Sequence, residues 1–180
     1  MQRWTYRKPD NLVELFENAV ELYPHNHLFG VKTPDGTALR WMTYKQVGDR
    51  VDNLRAGLAS LGIGKGDAVG IISNNRPEWA IAAFASYGRE ARFVPMYEAE
   101  LTKIWEYITR DSAIKVLFVS TPAIYEKVKD FPKHITTLEK IILIEGSGQD
   151  SMEALELIGS EHPVVSVQPS PYDIAVLIYT

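Results

Sequence analysis

The chain has 180 residues, which suits one domain of ordinary size, and 46% of them are hydrophobic while 23% are charged. These fractions are near the globular average and exclude extensive disorder. The formal net charge of −4 argues against nucleic acid as the main partner, and the lack of cysteine excludes disulfides, thiolate metal sites and cysteine nucleophiles.

The N-terminal residues lack the apolar stretch of a signal peptide. No apolar run in the sequence approaches the roughly 20 residues needed to span a bilayer. We therefore expect a cytoplasmic protein, while peripheral membrane association stays open.

The first part of the chain predicts two helices separated by a β-hairpin. Asn11 is placed to cap a helix, because apolar residues follow it at three-four spacing and stop before Pro24. The turn sequence at Thr33–Gly36 lies between two apolar runs and predicts a hairpin. Thr43 is placed to cap a second helix, whose apolar face runs along Val47–Leu61.

Beyond that helix, short apolar strands alternate with helices. Strands are predicted at Ala68–Ile72, Phe93–Met96, Val116–Val119, Ile141–Ile144 and Ile174–Tyr179. Helices are predicted at Glu78–Tyr87, along Leu101–Ile108, at Thr121–Lys129 and at Ser151–Ile158. This alternation predicts an α/β fold, with a mostly parallel sheet, helices on both of its faces, and the hairpin near its N-terminus.

The last seven residues, Ile174–Thr180, predict a buried inner strand covered on both faces, because they are mostly apolar and rich in β-branched side chains. In α/β proteins, phosphate-binding loops come immediately after such strands. If no further chain covers this strand, an apolar sheet edge is exposed, and we expect the chain to self-associate.

Three closely spaced glycines, Gly62, Gly64 and Gly66, invite comparison with a dinucleotide-binding loop. Such a loop follows a strand and opens a helix, whereas here a helix precedes the glycines and a strand follows. Gly62 is therefore interpreted as the end of a helix and the remainder as a tight turn.

The segment Ser73–Trp79 (SNNRPEW) follows a buried strand and enters a helix, a position where open α/β sheets bind ligands. The structural interpretation is that Ser73 or Asn74 caps the helix, Pro77 fixes its first turn and Glu78 complements its dipole, with Trp79 in the core. The residues alone favour capping over ligand binding. The four histidines lack metal-site spacing, and no serine has a nucleophile-elbow context, so no catalytic residue and no metal ligand is assigned.

Six motifs in chain order match a pattern seen in one enzyme family. They are Trp41–Tyr44, Gly62–Val69, Ser73–Trp79, Val94–Glu98, Asp111–Val119 and Asp173–Thr180. Together they resemble the N-terminal part of the AMP-forming acyl-CoA synthetases, within the adenylate-forming superfamily. The forms SNNRPEW and VPMYE are similar to those of long-chain fatty acid–CoA ligases.

The resemblance implies a two-step reaction, in which a fatty acid attacks ATP to give an acyl-adenylate and the thiol of coenzyme A then displaces AMP. It implies ATP, Mg²⁺ and coenzyme A as cofactors of a full-length parent. It also implies a homodimer of that parent, because some relatives dimerise through their N-terminal regions. Thr180 looks like the second residue of the family's YTSGTTGxPKG loop and is the one residue assigned as a nucleotide contact. Residues 1–180 are then the N-terminal part of the AMP-binding domain, with a candidate subdomain boundary near 162–171 and no catalytic competence alone.

Two departures from the family pattern stand out. Glu90-Ala91-Arg92 occupies the place where relatives commonly show Gly-Ala-Val, and Glu98-Ala99 replaces a frequent Pro-Thr pair. Two alternatives stay open: a stand-alone binding or interaction domain derived from such an enzyme, and an adenylating enzyme for other carboxylic acids.

Overall fold

The computed structural model describes residues 8–180, so residues 1–7 of the predicted 1–180 domain lie outside the described residues. The helices are α1 (Leu12–Leu22), α2 (Tyr44–Ser60), α3 (Pro77–Tyr87), α4 (Thr102–Asp111), α5 (Pro122–Val128) and α6 (Met152–Glu161), with a 3₁₀ turn at Phe131–Lys133. The strands are β1 (His27–Lys32), β2 (Leu39–Thr43), β3 (Ala68–Ile72), β4 (Arg92–Met96), β5 (Ile114–Val119) and β6 (Lys140–Leu143). Within residues 8–180, none of the helices is long and apolar enough to cross a membrane.

The predicted caps of α1 and α2 are confirmed. The side chain of Asn11 accepts a hydrogen bond from the backbone N–H of Glu14 at 2.9 Å and begins α1. Thr43 begins α2 with a reciprocal capping box, in which the Gln46 side chain accepts the Thr43 backbone N–H at 2.9 Å. Each cap therefore satisfies backbone donors that would lack a partner in the first turn.

The glycine-rich turn is structural, as predicted. Gly62 has a φ of +74°, which a side chain disfavours. Its N–H donates to the carbonyl of Ala59 at 2.9 Å, and the N–H of Ile63 donates to Leu58 at 3.0 Å, which closes the end of α2 in a Schellman motif. The turn then leads directly into β3.

The main sheet has the strand order β4-β3-β5-β6, and every neighbouring pair is parallel. The central strand β3 is buried along its whole length. Strands β1 and β2 form a separate antiparallel hairpin. These findings confirm the predicted α/β class, the parallel sheet and the hairpin.

Helices cover both faces of the sheet. On one face, side chains of α1, α2, α3 and α6 form a core with strand residues such as Phe118. The helices contribute Phe16, Leu54, Ile81 and Leu155, respectively. On the other face, α4 and α5 pack through residues such as Trp105 and Val128 against Ile72 and Leu117. The helix that follows each strand is thus held on a defined face.

The prediction of a buried inner strand at Ile174–Tyr179 is wrong. The segment forms one isolated parallel bridge, between Val176 and Phe93, on the outer side of β4. The Phe93 N–H donates to Ala175 at 2.8 Å, and Leu177 donates back to Phe93 at 2.9 Å. Among residues 8–180, only one side of the segment has a neighbouring strand, and Ile178 is 73% exposed.

Candidate functional site

The candidate site lies at the edge of the sheet where its parallel strands end. Ser73 follows β3, Glu98 comes two residues after β4, and Ser120 follows β5 directly. Glu145 comes two residues after β6. Parallel pairing brings these four chain positions to the same edge, although they are far apart in the sequence.

The order of the strands in the sheet reverses between β3 and β5: the chain continues from β3 to β4 on one side and from β5 to β6 on the other. Helix α3, which follows β3, packs on one face of the sheet through Ile81, whereas α5, which follows β5, packs on the opposite face through Val128. Neighbouring strands whose helices diverge in this way leave a crevice at their carboxyl ends, and ligands of open α/β proteins bind there.

A cleft of about 890 Å³ opens at this edge, between the hairpin and the loop that enters α3. Arg40 and Trp41 of β2 form part of one wall, and Arg50 of α2 lies beside them. Asn74–Glu78 and Thr121 contribute further lining residues. The volume falls in the range of small-molecule sites, and the lining combines one aromatic ring with several charged groups.

The structure corrects the predicted capping of α3. Its N-cap is Arg76, which makes no side-chain cap hydrogen bond, so neither Ser73 nor Asn74 caps the helix. The Ser73 hydroxyl donates to the carbonyl of Asn74 at 2.8 Å, and the Asn74 amide donates to Glu98 at 2.5 Å. Both polar side chains therefore serve the loop and the sheet edge, which leaves the ligand-binding interpretation of this segment open.

The predicted positions of Pro77 and Glu78 are confirmed, whereas Trp79 is partly buried at the margin of the core rather than within it. Pro77 occupies the first turn of α3, and Glu78 supplies its acidic residue. Trp79 packs edge-on against Phe93 of β4, with ring centroids 5.1 Å apart. The loop is thus anchored at its helical end by packing against the sheet.

Glu98 joins the ends of three strands. Its carboxylate accepts hydrogen bonds from the Ser120 hydroxyl, from the backbone N–H of Asn74 at 3.0 Å and from the Asn74 side-chain amide. Ser120 is fully buried. The Glu98 carboxylate therefore lies in the crevice between β3 and β5.

Two arginines and three glutamates form an ion network beside this crevice. Arg50 donates to Glu156 of α6 at 2.8 Å and to Glu78 at 3.1 Å. Arg76 donates to Glu78 at 2.8 Å and to Glu145 at 2.7 Å. The network connects α2, α3, α6 and the loop after β6, and so fixes one side of the cleft.

The network shifts the pKa values of Glu78 and Glu156 in opposite directions. Burial would raise the pKa of Glu78, but hydrogen bonds from Arg76 and Arg50 outweigh it and lower that pKa below its ordinary value. Burial raises the pKa of Glu156, because the hydrogen bond from Arg50 does not offset it. Burial lowers the pKa of Arg50 less than its glutamate partners raise it, so both arginines stay charged.

The predicted nucleotide contact, Thr180, is exposed at the end of the Ile174–Thr180 segment. The segment runs parallel to β4, so Thr180 lies toward the same edge of the sheet as Glu98. The neighbouring Tyr179 hydroxyl donates to Asp111 at 2.6 Å, and its ring meets Tyr107 at a centroid distance of 6.2 Å. Thr180 does not belong to the residues that line the cleft.

Several residues of this site were missed by sequence reasoning. Glu98 was singled out as a motif residue without a role, and Arg50, Arg76 and Glu145 were not assigned. A simple signal was available, because Ser120, Glu98 and Glu145 each lie within two residues of a buried strand's end. Among residues 8–180, no group of three or more His, Asp or Glu side chains is arranged to hold a metal ion.

A family model described as "AMP-binding enzyme" matches residues 16–180. Fatty acyl-CoA synthetase A of Dictyostelium discoideum is 30% identical over 155 residues, which cover 78% of this chain and 23% of that protein. The anthranilate CoA ligase AuaEII, solved with anthranoyl-AMP, superposes with a TM-score of 0.80 at 24% identity, covering 100% of this chain and 33% of that one. A long-chain-fatty-acid-CoA ligase from Archaeoglobus fulgidus superposes equally well, with a TM-score of 0.80 at 22% identity, covering 97% of this chain and 35% of that one.

The chain spans about a quarter of the length of the curated relatives it matches. The fold corresponds to the N-terminal part of the solved enzymes. Both structural similarities lie below 25% identity and therefore concern the fold. The curated relatives are named fatty acyl-CoA or long-chain acyl-CoA synthetases and long-chain-fatty-acid–CoA ligases.

Proposed function

Because this chain belongs to the family of AMP-binding enzymes, we propose that it is the N-terminal part of an ATP-dependent long-chain fatty acid–CoA ligase. The proposed reaction joins the fatty acid carboxylate to AMP with release of pyrophosphate, and the thiol of coenzyme A then displaces AMP. The observation that carries this proposal is the match of the family model along residues 16–180. The names of the curated relatives support the choice of fatty acids as substrates.

In this proposal the chain supplies a scaffold and one wall of a cleft. Residues 1–180 are one part of the AMP-binding domain, and a subdomain boundary lies near 162–171. Thr180 contacts the nucleotide phosphates, and ATP, Mg²⁺ and coenzyme A bind chiefly to residues of the parent outside this chain. The carboxyl-edge residues described above supply arginines, hydroxyls and the glutamates Glu78, Glu98 and Glu145, and among residues 8–180 no three acidic or histidine side chains are arranged to hold a metal ion. In this proposal the isolated chain is inactive, and the parent acts in the cytoplasm.

A second candidate is an adenylating enzyme for another carboxylic acid. The solved structures support it as well as they support the first candidate, because an anthranilate CoA ligase and a fatty acid ligase superpose on this chain with the same TM-score. The fold alone therefore does not choose between acyl and aryl substrates. A stand-alone interaction domain derived from such an enzyme is the third candidate. Adenylating activity of the protein encoded by a longer open reading frame would separate the first two candidates from it.

The experiment compares the 180-residue chain with the protein encoded by the longest open reading frame that contains it. Pyrophosphate exchange into ATP is measured with long-chain and medium-chain fatty acids, anthranilate and amino acids as separate substrates. We expect exchange only in the longer protein and fastest with long-chain acids. Exchange catalysed by the 180-residue chain, or a preference for anthranilate, would contradict the proposal.

Thr180 is tested in the same assay. Thr180→Ala in the longer protein is expected to raise the KM for ATP about tenfold, because a hydrogen bond to a charged phosphate is lost. Thr180→Ser keeps the hydroxyl and should stay close to the unchanged protein. Equal KM values for ATP in all three proteins would remove Thr180 from the nucleotide site.

A further inference from the structure

The crevice between the ends of β3 and β5 contains donors that are arranged for an anion. The backbone N–H and the side-chain amide of Asn74 come from the end of β3, and the Ser120 hydroxyl comes from the end of β5. Both strands are central in the sheet, and Ser120 is fully buried. The buried Ser120 hydroxyl needs an acceptor, because an unsatisfied buried donor costs free energy, whereas Asn74 is exposed.

The acceptor is a carboxylate of the chain itself. Glu98 reaches the crevice from the end of β4, the strand on the far side of β3. One of its oxygens accepts both the Asn74 N–H and the Ser120 hydroxyl, and the other accepts the Asn74 side-chain amide at 2.5 Å. An ionised carboxylate is an acceptor at both oxygens, so three donors match its chemistry.

This contact bears on the cleft because Asn74 begins the loop that forms part of its wall. The loop continues to Arg76, which has no capping side chain and whose guanidinium extends to Glu145. Between the end of β3 and Pro77, several contacts tie the loop to the ends of other strands. The Ser73 N–H donates to the carbonyl of Met96 at 3.3 Å, Asn74 is hydrogen-bonded to Glu98, and Arg76 donates to Glu145. Glu98 therefore holds the middle of the loop, between two anchors that do not involve it.

We propose that the crevice is a carboxylate-binding site that the chain fills with its own Glu98, which makes Glu98 a positioning residue for the Ser73–Arg76 loop. Only the role of the loop rests on the function proposed above: in the ligase, the loop presents Arg76 in the cleft. The binding of the carboxylate itself does not depend on that function. Removal of the carboxylate should loosen the loop at Asn74, and a small carboxylate from solution should restore it.

The test uses amide hydrogen exchange in the 180-residue chain, followed residue by residue by NMR. In Glu98→Ala, exchange of the Asn74 amide should accelerate about tenfold, because its acceptor is lost. The Ser120 amide is an internal reference, since it donates to the backbone carbonyl of Ile72 at 3.0 Å and does not involve Glu98. Its exchange should change less than about twofold.

The matched control is Glu100→Ala, which removes an exposed carboxylate two residues after Glu98, in the loop between β4 and α4. It should leave the Asn74 amide unchanged. Glu98→Gln keeps an acceptor for the Asn74 N–H and should accelerate its exchange less than about threefold. Formate added to Glu98→Ala should slow Asn74 exchange in a saturable way, while the same concentration of chloride should not.

The proposal is overturned if Asn74 exchange is the same in Glu98→Ala and the unchanged chain, or if formate has no more effect than chloride. If Glu98→Ala does not fold, Ser120→Ala provides the second test, because it removes one donor and retains Glu98. Faster exchange at Asn74 alone supports the proposal, and a uniform increase along β3, β4 and β5 contradicts it. Since the measurement needs neither ATP nor fatty acid, its outcome is independent of the proposed ligase activity.

Discussion

At the scale of single residues, Glu90 adopts a backbone conformation that its side chain disfavours. Its φ is +55°, in the left-handed region that favours glycine. The side chain pairs with Lys65 at 3.0 Å, and the backbone carbonyl accepts the N–H of Gly66 at 3.0 Å. The ion pair and the strained backbone therefore have opposing effects on stability.

We predict that Glu90→Gly is more stable than Glu90→Ala by about 1 kcal/mol in the free energy of unfolding. Both substitutions remove the carboxylate that pairs with Lys65, but only glycine relieves the left-handed strain. Urea unfolding of the two variants measures the difference. Equal stability, or a more stable alanine variant, would show that Glu90 tolerates its φ without cost.

The residue scale also explains which parts of the site the sequence could predict. Asn11 and Thr43 bond to backbone or side-chain groups three residues away, so their capping roles are visible in a short window of sequence. Asn74 has the same chemistry, yet its amide binds Glu98, 24 residues further along the chain. Local propensity favoured a cap there, whereas the tertiary structure supplied a charged acceptor, which forms a stronger hydrogen bond.

At the scale of elements, the ion network joins helices that the sequence places far apart. We predict that Glu78→Gln lowers the free energy of unfolding by about 1–2 kcal/mol near neutral pH, because it weakens hydrogen bonds from two half-buried arginines. Glu156→Gln is the matched control, since it alters the other carboxylate on Arg50. It should cost less, because burial raises the pKa of Glu156 and its charged form gains less from folding.

The pH dependence of the Glu78 effect has a defined sign. The folded-state pKa of Glu78 lies below its ordinary value of 4.5, so its contribution to stability is fully present above 4.5 and declines as the pH falls through the folded-state pKa. The destabilisation caused by Glu78→Gln should therefore shrink when urea unfolding is repeated at about pH 3. A cost that is constant between the two pH values, or larger for Glu156→Gln, would contradict this account.

The terminal segment shows where element prediction fails. Ile174–Tyr179 has the apolar, β-branched composition of an inner strand, yet within residues 8–180 it pairs only with β4 and only around Phe93. Composition indicates that both faces of a segment are suited to burial, and Val176 and Leu177 do pack on opposite faces of the sheet. The number of strand neighbours, however, depends on which other segments pair with it, and the composition of one segment does not encode that.

At the scale of the whole molecule, the described residues leave an apolar surface beside this segment. Ile178 is 73% exposed and Ile174 is 58% exposed, and the nearby aromatic Tyr107 is 58% exposed. Among residues 8–180, no strand pairs with the outer edge of the segment, whose other side faces β4. Apolar edges of this kind promote association with another chain.

We predict that the 180-residue chain forms dimers or larger assemblies through this edge, and that Ile178→Lys shifts it toward the monomer. A charged side chain there opposes the close approach of a second apolar edge. Light scattering coupled to size-exclusion chromatography, repeated over a range of concentrations, measures the molar mass. Leu157→Lys is the control, because Leu157 is also an exposed apolar residue, 62% accessible, but lies on α6. A monomeric mass for the unchanged chain at high concentration, or an equal effect of both lysine variants, would count against association through the Ile174–Thr180 edge.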